Sequence, residues 1–203
     1  MVVFDATTLM LLLRQNAGRP VDSAGNPVPD VQERLSHLVQ RLEARRTRII
    51  IPTPTLSEVL VHAGTAGPEI VETLTRSTVF KVEPFDTRAA VEVALMTRAA
   101  IDRSDKKAGL TATWAKVKYD RQIVAIAKVF SVTMIYTDDA DVRVLAAAEN
   151  IPTCSTGELP LPPPKTQIEM HLAPPTSEEQ GDVAEEPEPP EESEEEQPGD
   201  EPA

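Results

Sequence analysis

Three carboxylates fall within four positions at Asp138, Asp139 and Asp141, directly after an apolar, β-branched run at residues 132–136. Carboxylates crowded together repel one another unless a cation neutralises them. Other acids stand in similar places. Asp5 ends the apolar triplet Val2-Val3-Phe4, Glu58 follows Ile49-Ile50-Ile51 by one short turn, and Asp120 precedes the apolar stretch 123–127. No histidine or cysteine joins them at ligand spacing: His37, His62 and His171 are scattered and Cys154 is single. A donor set made only of carboxylate oxygen suits a hard divalent ion, Mg²⁺ or Mn²⁺. Each acid also has an ordinary reading as a helix cap, and Thr55 with Glu58 has capping-box spacing. One cap explains one acid; four such places in one chain ask for more.

The elements that must hold these acids alternate along the chain. Apolar strands are expected at residues 2–4, 49–51, 79–82, 132–136 and 151–153, too apolar throughout to face water on either side. Helical spacing is read after each: from residue 9, at 31–42 with Val31, Leu35, Leu38, Val39 and Leu42 on one face, from Thr55, at 69–77, 87–103, 121–130 and 142–149. Asp30 with Glu33 is the expected cap of the second helix, and Asp86 that of the fifth. Gly64 and Gly67-Pro68 are read as ending the third, and residues 18–29, rich in Gly, Pro, Asn, Asp and Ser, as a loop. Repeated strand–helix alternation implies a parallel sheet covered by helices on both faces. In such sheets sites lie beyond the carboxyl ends of the strands, where all four acidic positions fall.

Residues 104–118 break the apolar rhythm and carry Lys106, Lys107, Lys116, Lys118 and the single tryptophan, Trp114, against one acid, Asp105. Lysines attract phosphates and an aromatic ring can stack on an unpaired base, so RNA contact is one reading. A solvated loop pinned to the core by Trp114 is the other.

Composition separates a body from a tail. Of 33 acids, 13 lie in residues 178–203, leaving 20 against the 20 Lys and Arg that all precede them. The net charge of −13 therefore belongs to the tail and does not exclude a nucleic-acid partner for the body. Residues 159–164 favour polyproline geometry, and Glu- and Pro-rich sequence with little to bury is expected to be disordered. A folded domain at 1–157 and a disordered Pro-rich, acidic tail at 158–203 are expected. A single cysteine excludes an internal disulfide, and no stretch approaches the ~20 apolar residues of a membrane span. A soluble, cytoplasmic protein with no membrane partner is expected.

Phe4-Asp-Ala-Thr7, Pro54-Thr-Leu-Ser-Glu58, Asp120-Arg-Gln-Ile-Val-Ala-Ile-Ala127 and Tyr136-Thr-Asp-Asp-Ala-Asp141, in that order, resemble the four acidic motifs of PIN-domain ribonucleases. That family includes the VapC toxins of toxin–antitoxin pairs. The resemblance covers about residues 1–155. It implies a three-layer α/β/α sandwich with a central, mostly parallel sheet, and metal-dependent hydrolysis of RNA. Asp5, Glu58, Asp120 and Asp139 would be the catalytic metal ligands, with Asp141 assisting, Thr137 orienting the group and Thr7 matching the small hydroxyl or amide position after the first Asp. Asp138 adds an acid beside the expected one, so the choice between Asp138 and Asp139 stays open. A homodimer, an RNA substrate and an antitoxin protein are the implied partners. A catalytically silent PIN-like module that binds RNA or protein is the alternative. Phosphatases that place an Asp after the first strand want a second Asp two residues on, where this chain has Thr7; phosphate-receiver domains want an acidic pair there.

Overall fold

The computed structural model describes residues 1–14, 18–22 and 24–163. The expected tail lies outside them beyond residue 163. Five strands, β1 (Val2–Phe4), β2 (Ile49–Pro52), β3 (Phe80–Glu83), β4 (Ile135–Tyr136) and β5 (Thr153–Cys154), form one sheet in the order β3-β2-β1-β4-β5. Every pairing in it is parallel. Seven helices join them: α1 (Ala6–Leu13), α2 (Val31–Ala44), α3 (Thr53–Ala63), α4 (Gly67–Arg76), α5 (Thr87–Asp102), α6 (Trp114–Val129) and α7 (Ala140–Ala148).

Alternation along the strands sorts side chains between two cores. Val3, Ile50 and Ile135 pack with α5, α6 and α7 through Ala89, Met96, Val124 and Leu145. Val2, Phe4, Ile49 and Ile51 pack on the opposite face with Leu9, Leu35, Leu38, Val59 and Leu74 of α1 to α4. The result is the expected α/β/α sandwich. The chain works outward from β1 to β3, then returns to lay β4 on the other side of β1. That reversal puts the carboxyl ends of β1 and β4 side by side, with Phe4 in register with Tyr136. A crevice at such a switch point is where open α/β sheets place their sites.

Several local expectations are corrected. Asp30 precedes α2 but sits in the left-handed region (φ 53°) and its side chain makes no capping bond. Thr55 and Glu58 form no capping box, because Pro52-Thr53-Pro54 has already started α3 and both residues lie within it. Gly67-Pro68 opens α4 instead of ending α3, Pro being suited to a first turn. Asp120 opens nothing: α6 begins at Trp114, capped by Thr113, whose hydroxyl accepts from the Lys116 N–H at 3.3 Å. β4 is limited to two residues and β5 begins two positions later than expected. Asp86 caps α5, accepting from the Ala89 N–H at 3.0 Å.

Phe4 is fully buried one residue before Asp5, edge-to-face with Tyr136 (centroids 5.4 Å apart) and Phe80 (6.3 Å). Phe4→Ala is expected to cost about 3–5 kcal/mol, because the rigid strands on either side cannot close the cavity. Urea unfolding measures it; a loss below 1 kcal/mol would show that this aromatic trio does not hold the strand ends.

Candidate active site

Each acid reaches the switch point from a different element. Asp5 ends β1 and precedes α1, and its carboxyl is buried. Thr137, directly after β4, donates from Oγ1 to Asp5 Oδ2 at 2.9 Å and accepts from the Asp139 N–H at 3.0 Å. Thr7 Oγ1 makes a longer contact to Asp5 Oδ2 (3.4 Å) and accepts from the Asp138 N–H at 3.1 Å. Two hydroxyls thus tie the end of β1 to the end of β4. Burial drives the Asp5 carboxyl up, against its hydrogen bonds with Ala6 and Thr137, to about 6.

Asp120 lies within α6, with its side chain almost fully enclosed. Glu58 is half-buried on α3 and lines the same cleft as Asp5, Thr7, Asp120 and Asp139. The Tyr119 hydroxyl donates to the Pro54 carbonyl, which fixes α6 against the start of α3 and sets the relative positions of Asp120 and Glu58. Asp139 caps α7 by accepting from the Asp141 N–H at 2.7 Å, so the cap reading of this residue is realised, and it lines the same cleft. Asp138 is turned elsewhere. Its oxygens accept from the Thr156 N–H at 2.8 Å and the Thr156 hydroxyl at 2.5 Å, which anchors the segment after β5.

At the centre of the cluster is a residue that had been read as a substrate contact. Lys116 Nζ donates to Asp120 Oδ2 at 2.8 Å, Asp139 Oδ2 at 3.0 Å and Asp141 Oδ2 at 2.8 Å. Partial burial works against its charge, but the bonds to Asp120, Asp141 and Asp139 outweigh it and hold the ammonium above the ordinary lysine range. The four-residue offset of Lys116 and Asp120 in sequence was the signal available for this pairing.

The donor chemistry suits a divalent ion, since four carboxylates, of Asp5, Glu58, Asp120 and Asp139, line one crevice with no softer ligand. Lys116 bridges two of them, Asp120 and Asp139, and Asp141 beside them. Among the described residues no three His, Cys, Asp or Glu side chains converge as a metal cage would require. An ammonium keeps its acceptors at 2.8–3.0 Å, whereas Mg²⁺ needs oxygen at about 2.0–2.1 Å.

The other residues of the expected RNA surface make contacts within the chain. Lys106 lies over the Trp114 ring at 4.1 Å, and Arg121 and Lys118 approach the same ring at 5.5 and 5.9 Å. Lys107 donates to the Ala112 carbonyl at 2.7 Å. Arg121, fully buried, donates to the Lys106 carbonyl at 2.8 Å and ties the loop to α6. Trp114 packs against the core on this face of the sheet, with its ring engaged by the chain's own cations. A second cleft that no motif announced, carrying two arginines, is lined by Thr7, Arg14, Arg19, His62 and Asp138. Cys154 is half-buried on β5, and burial pushes its thiol up to about 11, which makes it a poor nucleophile.

No protein-family model matches the sequence, and no curated protein matches it. Among solved structures, DNA-bound VapBC from Salmonella typhimurium is similar over 76% of this chain and 97% of that one, at 16% identity and a TM-score of 0.47. VapC20 of Mycobacterium tuberculosis, a sarcin-ricin-loop-cleaving toxin, is similar over 73% of this chain and 95% of that one, at 14% identity and a TM-score of 0.45. At such values the chemistry of the site has to be read from its own residues. No helix among the described residues is long and apolar enough to cross a membrane.

Burial of Asp5 has a measurable cost. Its folded pKa of about 6 exceeds the ordinary 3.8, so the folded state holds the proton more tightly and loses stability as pH rises from 3.8 through 6. Asp5→Asn removes that charge and is expected to stabilise the metal-free protein above pH 6 by on the order of 3 kcal/mol. The gain should vanish below pH 4. Thermal unfolding in chelator across pH 3.5–8 tests this, and a destabilised Asn variant at pH 7.5 would refute it.

Proposed function

We propose that this chain is a divalent-metal-dependent endoribonuclease that hydrolyses RNA phosphodiester bonds, acting as the toxin of a toxin–antitoxin pair. The observation that carries the reading is the meeting of Asp5, Glu58, Asp120 and Asp139, from four separate elements, at one cleft beside the switch point. Capping explains one of the four, Asp139. Packing explains none, since burying carboxylates destabilises a fold.

Asp5, Asp120 and Asp139 would hold Mg²⁺ or Mn²⁺, with Asp141 beside them and Glu58 facing them across the cleft. When bound, the ion supplies Lewis acidity, which lowers the pKa of a water and offsets the charge that builds on the phosphate. The chain's own residues do the positioning. Thr137 and Thr7 aim the Asp5 carboxylate, Tyr119 keeps α6 and α3 in register, and the Asp139 cap fixes that carboxylate against α7. Arg14, Arg19 and His62 offer RNA phosphates a basic wall beside Thr7, in place of the lysine-rich loop. Asp138, committed to Thr156, supports the site from behind. An antitoxin protein as partner, a homodimer and a cytoplasmic setting belong to the same proposal.

One observation favours a second reading. Lys116 fills the place a metal ion would take, as expected of a catalytically silent PIN-like module that binds RNA or protein. Cleavage of a mixed RNA pool with Mn²⁺ or Mg²⁺ separates the two. Asp5→Asn, Asp120→Asn and Asp139→Asn should each lower cleavage by more than about 100-fold, beyond the 10–100-fold that supporting residues cost. Asp138→Asn should stay within that supporting range. Metal-independent cutting, or full activity in Asp120→Asn, would sink the nuclease mechanism, and metal-free and metal-loaded protein that both fail to cut would favour the silent module.

A further inference from the structure

Lys116 has more to do than balance charge. We propose that its ammonium is a built-in competitor for the divalent metal, which occupies the ion's place in the resting protein and must swing out before the ion can enter. This rests on the reading of the acids as a metal site.

Three features of the geometry carry it. The ammonium bridges two elements, Asp120 on α6 with Asp139 and Asp141 at the start of α7, at 2.8, 3.0 and 2.8 Å. It is therefore the contact that gathers these oxygens. Two cations cannot share that space, because they repel strongly at such distances and the ion requires shorter bonds to the same oxygens. Exchange is consequently all-or-none.

The exposures say which partner moves. The Lys116 side chain is 41% exposed, against 6% for Asp120 and about a quarter for Asp139 and Asp141. Lys116 lines the cleft that holds Asp5 and Glu58. Rotation about a flexible four-carbon stem carries the ammonium into water without disturbing α6. The carboxylates, held by a helix interior and a helix cap, then need only contract around the ion. Metal-free protein thus rests in a partly neutralised, closed state, and metal binds with an apparent affinity reduced by the fraction of molecules in which the lysine is out.

Two measurements on the full chain test this without RNA. In calorimetry with Mn²⁺ at pH 7.5, Lys116→Met is expected to bind at least about tenfold more tightly than wild type, corresponding to a lysine that is out in one molecule in ten or fewer. The same variant should melt lower than wild type in chelator and recover with Mn²⁺. Equal or weaker binding by the variant overturns the competitor alone and leaves the metal site standing. Failure of both proteins to bind overturns the metal site as well.

The second measurement needs no variant. Limited acylation of wild type, read by peptide mass spectrometry, should modify Lys116 slowly in chelator and several-fold faster with saturating Mn²⁺. Lys118, two residues on and exposed, should be modified alike in both. Lys116 reactivity that stays level or falls on adding metal overturns the proposal.

Discussion

The structure turns on the need for a positive charge between α6 and α7. Asp120, Asp139 and Asp141 each offer an oxygen to one ammonium, beside the cleft of Asp5 and Glu58, and carboxylates so placed repel one another unless a cation lies among them. Lys116 supplies it from within the chain. Because the lysine lies one turn before Asp120, the same helix carries both the buried acid and its partner. That arrangement lets the folded protein keep an acidic cluster in a crevice with a cation of its own beside it.

Around this centre the polar network is short and closely specified. One buried hydroxyl, on Thr137, touches both Asp5 and the backbone of Asp139, so the two central strands cannot slide without breaking it. Thr7 makes the matching link to Asp138 from the other side. Asp5 pays for its place in the crevice, since burial raises its pKa and leaves its ionised form costly near neutral pH. A residue retained for stability would not be a carboxylate there, and this trade of stability for charge is what sites characteristically show.

The lysine-rich stretch shows how little a count of charges says about a surface. Four lysines and a tryptophan within 15 positions suggested one binding patch. In the fold they divide among different tasks. Lys116 turns into the acids, Lys107 closes its own loop, and Lys106 lies over the Trp114 ring that Arg121 also approaches. Meanwhile Arg14 and Arg19, five positions apart, share one cleft with the distant His62 because α1 and α3 lie side by side. Neither outcome follows from periodicity, which reports which face of an element is apolar and not what that face meets.

Much of the architecture was legible from local pattern alone. Apolar triplets alternating with helical spacing imply a parallel sheet between two helical layers, because strands buried on both faces leave no other economical arrangement. Acids at strand ends likewise implied a shared edge. Helix starts were less legible, because caps compete: Pro52-Thr53-Pro54 opened α3 before Thr55 could, and Thr113 opened α6 well before Asp120. The choice between Asp138 and Asp139 was closed to sequence reasoning, since neighbouring residues after a strand point in different directions and only the packing of Thr156 shows where Asp138 turns. The sequence by itself determined the layers, the sheet edge and the acidic character of the site, because those follow from periodicity and composition. Only the tertiary structure decided which oxygens meet and that Lys116 stands among them, because side chains from α6 and α7 converge through the order of strands and not through any spacing along the chain.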